Sequence, residues 1–269
     1  MDDRHEIFVA GRWREPTGAA PITVVSPHTG EPIAHVPTAA PLDVHDAAAG
    51  AREAVDDGRW SRRDPAERIA AGRRLADLYG ERRAALAETI SAEMGAPITF
   101  AHRAHVGLPW ALMRALCDIA ERHTWTERRP GAFGGEVVVD KRPVGVVAAV
   151  VPWNMPQFLI VTKLVPALLA GCSVVLKPAP ETPLDALLLA ELVDDAGIPP
   201  GVVSVLPGGA DVGRRLVEHP CVDKVSFTGS TAAGRRVART CGHHLTPVTL
   251  ELGGKSAAIV LDDADPATV

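Results

Sequence analysis

Val144-Gly145-Val146-Val147-Ala148-Ala149-Val150-Val151, followed at once by Pro152-Trp153-Asn154-Met155-Pro156, decides the fold of this chain. An apolar run of that length is far too short to span a bilayer. It lacks the polar alternation of a half-exposed strand, so it reads as a strand buried on both faces, the kind found in helix-covered parallel sheets. Toward the C-terminus, apolar runs recur at 173–176, 202–206, 224–227 and 248–250, separated by helical stretches starting near Pro156, Pro183, Ala210 and Thr231. Strand and helix taking turns predicts an α/β fold, a doubly wound Rossmann-like parallel sheet.

Toward the N-terminus the pattern changes. Residues 136–141 are β-rich and follow the turn residues Pro130-Gly131 and Gly134-Gly135. Before them the chain reads as mostly helical. An Ala-rich amphipathic segment runs over 43–57. Asp64-Pro65 is an N-cap with proline at the first helical position, opening helices that run to Met94 with a break near Gly80. Gly95-Ala96-Pro97 stops that run, and 100–123 resumes a helical period interrupted at Pro109. Ile7 to Trp13 reads as a short strand and turn, and 16–41 as a loop punctuated by Pro and Gly. The expected division is 1–124 as the helical part of a nucleotide-binding domain, 125–142 as a hairpin, 143–253 as its Rossmann-like core, and 254–269 as the start of a further domain, where acids and Pro266 set up a helix.

The chain can bury a full core, with 46% hydrophobic residues in 269. Its 33 acids are interspersed with 28 Lys and Arg, for a formal charge of -5. No basic stripe forms, so nucleic acid is not an expected partner. A charged opening, Asp2-Asp3-Arg4-His5-Glu6, and no long apolar run argue against a signal peptide or a membrane span and for a soluble, cytoplasmic protein. Cys117, Cys172, Cys221 and Cys241 are scattered without a Cys-x-x-Cys pair, which suggests no metal site and no disulfide framework.

In a doubly wound sheet, ligands sit beyond the carboxyl ends of the strands. Four junctions there are unusual. Asn154 offers an amide donor for an oxyanion at a helix start, with helix N-capping an equal alternative. Lys177 ends a strand as a candidate ribose or phosphate ligand, against the reading of a solvated terminus. Phe227-Thr228-Gly229-Ser230 is a strand, a turn and a helix start, a place for a pyrophosphate. It is no Walker loop, because Arg235-Arg236 stands where Lys-Ser/Thr would be. Glu251, at the end of an apolar strand before Leu252-Gly253-Gly254, is a candidate general base with a raised pKa, or an ordinary strand-end acid.

Together and in this order, Pro152-Trp153-Asn154 with Pro156, Phe227-Thr228-Gly229-Ser230 and Glu251-Leu252-Gly253-Gly254-Lys255 resemble the aldehyde dehydrogenase superfamily, across essentially the whole chain. The resemblance implies NAD or NADP as cofactor, an aldehyde as substrate, and a homo-oligomer in the complete enzyme, with 125–142 as its oligomerisation hairpin. Position by position it implies Asn154 as the oxyanion-hole amide, Glu251 as the base that activates water to hydrolyse a thioester, and Lys163 as a neighbour of that network. Lys177 would hold the adenosine ribose, with Ala179 beside it. Gly229 and Ser230, in the turn that Phe227 and Thr228 lead into, would hold the pyrophosphate. Val151, Pro152 and Trp153 would line the cofactor cleft, with Leu252 and Gly253, and Gly209 and Gly213 would lie beside the adenine. Met155 and Leu159 are candidates for one wall of the aldehyde tunnel.

Two departures stand out. The family commonly has Glu three residues after the ribose lysine; here it is Pro180, which leaves NAD against NADP open. The family's catalytic Cys lies beyond Glu-Leu-Gly-Gly, in a segment these residues do not contain. The expectation is therefore a fragment or truncated product that supplies cofactor site, oxyanion Asn and base but not the nucleophile. The alternatives are a non-catalytic nucleotide-binding module and a relative handling acyl-phosphates or acyl-thioesters, the last disfavoured by the Glu251 context.

Overall fold

The structure, a computed structural model, describes residues 3–18, 20–265 and 267. Its strands are β1 (Ile7–Val9), β2 (Arg12–Arg14), β3 (Ile22–Val25), β4 (Pro32–Val36), β5 (Thr126–Pro130), β6 (Glu136–Asp140), β7 (Val146–Val150), β8 (Ser173–Lys177), β9 (Val203–Val205), β10 (Lys224–Gly229) and β11 (Val248–Leu252). Its helices are α1 (Pro41–Asp56), α2 (Pro65–Glu81), α3 (Arg83–Met94), α4 (Ile98–Phe100), α5 (Leu108–Arg122), α6 (Pro156–Ala170), α7 (Leu184–Asp195), α8 (Ala210–Val217) and α9 (Thr231–His244), with a π-helical stretch at Ala101–Gly107.

Seven strands make one sheet in the order β11-β10-β7-β8-β9-β1-β2. The five from β7 to β11 are parallel, in the order 3-2-1-4-5 counted along the chain. The order reverses between β7 and β10, which is the doubly wound arrangement with its switch point there. The opening strand goes beyond the sequence reading: β1 and β2 extend the sheet in antiparallel fashion beyond β9.

Period-2 alternation on β7 divides the core. Val146, Ala148 and Val150 enter one apolar cluster with α1, α8 and α9, while Val147 and Ala149 enter the other with α2, α3, α5, α6 and α7. β7 and β8 are buried at every position, as read from the sequence, with the polar Ser173 and Lys177 at the two ends of β8.

Local signals fare unevenly. Asp64 caps α2 through the N–H of Ala66, and Glu67 completes a capping box. Gly95, at φ 85°, ends α3. Gly80 breaks nothing: a Cβ there would lie 2.9 Å from Trp110 Nε1, so its bareness seats that indole, and the helices part at Arg82. Nor does Pro109 interrupt its helix. The π-helical stretch just before it absorbs the register change, and proline sits in the first turn of α5. The 16–41 region, read as a loop, contains the antiparallel pair β3–β4. β5 and β6 pair as a separate two-stranded hairpin. Of the helix expected to open near the end, Pro266, Thr268 and Val269 lie outside the described residues.

Candidate active site

Register sets the site. Lys177, Val150, Phe227 and Leu250 stand level across β8, β7, β10 and β11; Thr228 pairs with Glu251 one residue further on. All lie at carboxyl ends beside the switch point. Alternation then sorts them by face. Val150, Phe227 and Leu250 point to the α8–α9 side, so Val151, Ser226, Thr228 and Glu251 point to the α6 side.

On the α6 side, Asn154 is exposed at the mouth of the crevice. The N-cap of α6 is Met155, without a side-chain cap, so N-capping by Asn154 is excluded. About two helical turns into α6, Lys163 is 8% exposed and donates from Nζ to Ser226 Oγ at 3.2 Å. Burial pushes its pKa down, partly offset by the charge of Glu251. Glu251 itself is exposed at the end of the sheet's outer strand. Thr228 Oγ1 is buried without a hydrogen-bond partner on this face. Met155 is half-buried, and Leu159 packs against the core.

On the other side, Lys177 is 5% exposed, which overturns the reading of a solvated terminus. Its Nζ donates to the carbonyl oxygens of Pro178 and Gly208, the latter at 2.7 Å. Burial lowers its pKa to about 8, with Glu181 pulling the other way. Gly213 is bare because the Lys177 stem passes over α8: a Cβ there would lie 3.2 Å from Lys177 Cδ. Gly209 is the N-cap of α8, Ala179 is buried, and Pro180 half-buried.

Beyond β10, Ser230 caps α9 by accepting the N–H of Ala233 at 3.2 Å. The first-turn N–H groups of Thr231 and Ala232 have no intrahelical acceptor and face outward. Gly229 is bare beneath them, where a Cβ would meet the tip of the Phe227 ring at 2.6 Å. Leu252 and Gly253 are exposed beside that turn; the Leu252 side chain fills the space over Gly234, and the Gly253 carbonyl accepts from Thr231 Oγ1 at 3.4 Å. Val151 is buried and Trp153 half-exposed at the lip. A dinucleotide fits this side: a bare helix start for its diphosphate, and one buried ammonium for a hydroxyl-bearing ring.

Against known proteins, the model of the aldehyde dehydrogenase family matches residues 13–269. The chain belongs to the aldehyde dehydrogenase family. It is 44% identical over 263 residues to geranial dehydrogenase of Castellaniella defragrans, covering 98% of this chain and 55% of that protein. Aminoacetaldehyde dehydrogenase of Pseudomonas aeruginosa is 42% identical over 269 residues, with 98% and 54% covered. Among solved structures, a Mycobacterium tuberculosis aldehyde dehydrogenase complexed with NAD+ superposes with a TM-score of 0.92 at 44% identity, covering 99% of this chain and 55% of that one. An aldehyde dehydrogenase of Pseudomonas syringae with NAD+ and octanal gives 0.89 at 40%, covering 98% and 53%. The chain thus spans about half the length of the relatives it matches.

As an aldehyde dehydrogenase family member, the chain is notable for where its thiols lie. Cys172 and Cys221 precede β8 and β10, at the sheet end opposite the crevice. Cys117 is buried in α5, and Cys241 is buried in the last turn of α9. Among the described residues no group of three or more His, Cys, Asp or Glu could hold a metal. Sequence reasoning missed Ser226, Gly208 and Glu181. Ser226 was findable as the polar residue on the α6 face of β10. Gly208, whose bareness admits Val212, was findable as the first of a Gly-Gly pair after β9. Glu181 stands one position after Pro180, and its carboxylate charge acts on Lys177.

Proposed function

We propose that this chain carries the cofactor site, oxyanion donor and general base of an NAD(P)-dependent oxidation of an aldehyde to a carboxylic acid. The observation that carries the reading is the partition at the switch point: Asn154, Lys163 and Glu251 on the α6 face, Lys177 and the start of α9 on the other. The nicotinamide, when bound, accepts a hydride. Lys177 and the N–H groups of Thr231 and Ala232 hold the cofactor, while Gly209, Gly213 and Gly229 let its rings and diphosphate approach the backbone. Val151 and Trp153 wall the crevice. Glu181 and Pro180 take the place of the family's Glu, and the Glu181 charge disfavours a 2′-phosphate, so NAD is the preferred partner.

Asn154 donates its amide N–H to the oxygen of the aldehyde as negative charge grows there. Glu251 takes a proton from the water that releases the acid. Lys163, held by Ser226, adds positive charge near Glu251. The attacking thiolate comes from outside these residues, since none of the four cysteines lies at the crevice. Residues 143–253 form the cofactor-binding core with 1–124 as its helical part, and 254–269 lead toward the catalytic domain. Hairpin 125–142, with Val137 and Val138 half-exposed and Phe133 fully so, is a contact between subunits. Four free thiols suit the cytoplasm.

In the enzyme that turns over, Asn154→Ala should lower kcat by about 10²-fold with cofactor affinity unchanged. Equal turnover removes Asn154 from the reaction. The rival reading, a nucleotide-binding module without chemistry, predicts calorimetric binding of NAD by a protein that never oxidises an aldehyde.

A further inference from the structure

Neither α6 nor α7 has a side-chain cap of its own. Met155 precedes α6 and Pro183 precedes α7, and neither side chain accepts from the helix start. Both starts are held from elsewhere, by three buried polar residues. Glu93, the penultimate residue of α3 and 2% exposed, accepts the N–H of Leu184 at 2.8 Å and of Asp185 at 2.9 Å. It caps α7 across 91 residues of sequence. Asp185, fully buried, accepts from Gln157 Nε2 on both its carbonyl oxygen, at 2.9 Å, and its Oδ2, at 2.8 Å. Gln157, also fully buried, lies in the first turn of α6, three residues after Asn154. The tie therefore runs from α3 through α7 to the helix start that carries Asn154.

Two carboxyls meet in this tie, for Glu93 accepts the backbone N–H of Asp185 itself. No Lys or Arg pairs with either; the described ion pairs all involve other acids. Tyr79 of α2 faces Asp185 with its hydroxyl unpartnered, His105 of the π-helical stretch is buried with both ring nitrogens free, and Lys163 of α6 bonds Ser226 instead. Two buried carboxylates without a cation cannot both ionise cheaply, so the pair retains a proton. Two N–H donors and the α7 helix start oppose the rise in pKa on Glu93 without reversing it. Asp185 Oδ1, which has no other partner, is the oxygen through which the two carboxyls share that proton.

We propose that Glu93 and Asp185 form a proton-sharing carboxyl pair that, through Gln157, positions Asn154. The assignment of a positioning role rests on Asn154 being the oxyanion donor. Burial raises both carboxyl pKa values, that of Asp185 to about 7. The folded state then binds protons that the unfolded chain has lost above about pH 4, so this pair makes stability fall as pH rises from there through 7. An uncharged amide at 185 keeps the hydrogen bonds and removes one titration.

Two measurements test this. Urea unfolding of wild type and Asp185→Asn from pH 5 to 8 should show the variant's folding constant gaining about tenfold or more on wild type across that range. Parallel curves overturn proton sharing. In the enzyme that turns over, Asp185→Leu and Gln157→Leu should each lower kcat about tenfold with cofactor affinity unchanged, and Asp185→Asn should restore most of it. If Asn154→Ala loses turnover while Gln157→Leu does not, the positioning claim falls and the oxyanion reading stands. If Asn154→Ala has no effect, both fall, and the unfolding curves still decide the carboxyl pair. If Gln157→Leu does not fold, the comparison of Asp185→Leu with Asp185→Asn decides the positioning claim.

Discussion

Lys177 invites a test in which stability and binding move in opposite directions. Its ammonium is buried, and its pKa lies at about 8 against an ordinary 10.5. That gap corresponds to about 3 kcal/mol. Below pH 8 the residue is protonated in both folded and unfolded chains, and the burial penalty is constant. Between 8 and 10.5 only the unfolded chain keeps the proton, so the penalty fades and stability rises with pH. Compared with Lys177→Met, wild type should therefore gain about 3 kcal/mol of unfolding free energy over that window and nothing below it. Binding should do the reverse. An ammonium has three N–H donors, and Pro178 and Gly208 take two, leaving one for a ligand hydroxyl; the neutral amine has no donor to spare. NAD affinity should drop by about tenfold or more between pH 7 and 9. Urea titrations of both proteins and NAD binding at each pH measure the two effects. A difference curve flat to pH 10, or affinity unchanged at pH 9, refutes the reasoning.

Glu251→Gln in the turning-over enzyme should keep a burst of NADH and then run slowly, because water activation follows hydride transfer; stopped-flow absorbance reads both phases, and loss of the burst would assign Glu251 an earlier role. Gly145→Ala should cost about 3 kcal/mol or more, since Gly145 sits at φ 120° and a Cβ would overlap the Asp223 carboxylate that pairs with Arg52 and accepts the Val146 N–H at 2.7 Å. Gly242→Ala, in α9 with nothing near, should instead gain about 0.5–1 kcal/mol in the same urea assay.

The sheet and its junctions were legible because apolar runs, prolines and glycines are local signals. Every parallel strand was placed within two residues of its ends, and the four junctions converge as expected. What escaped was long-range. Gly80 looks like a helix break until Trp110 is known to cross it, and the β3–β4 pair hides between Pro21 and Pro37. Glu93 and Asp185 read as ordinary helix acids, because nothing within ten residues of either announces a contact 92 residues away. The exposure of Glu251 was likewise invisible, since enclosure depends on what packs over β11.

The sheet that separates the two faces also separates two kinds of drift. Among the described residues, side chains on α8 and around Lys177 share no partner with Asn154, Lys163 or Ser226, because a layer of backbone hydrogen bonds and β-strand side chains stands between them. Substitutions on opposite faces should combine additively in free energy, within about 0.5 kcal/mol. On the proposed reading, cofactor preference and aldehyde chemistry can be altered one at a time, each without repair of the other.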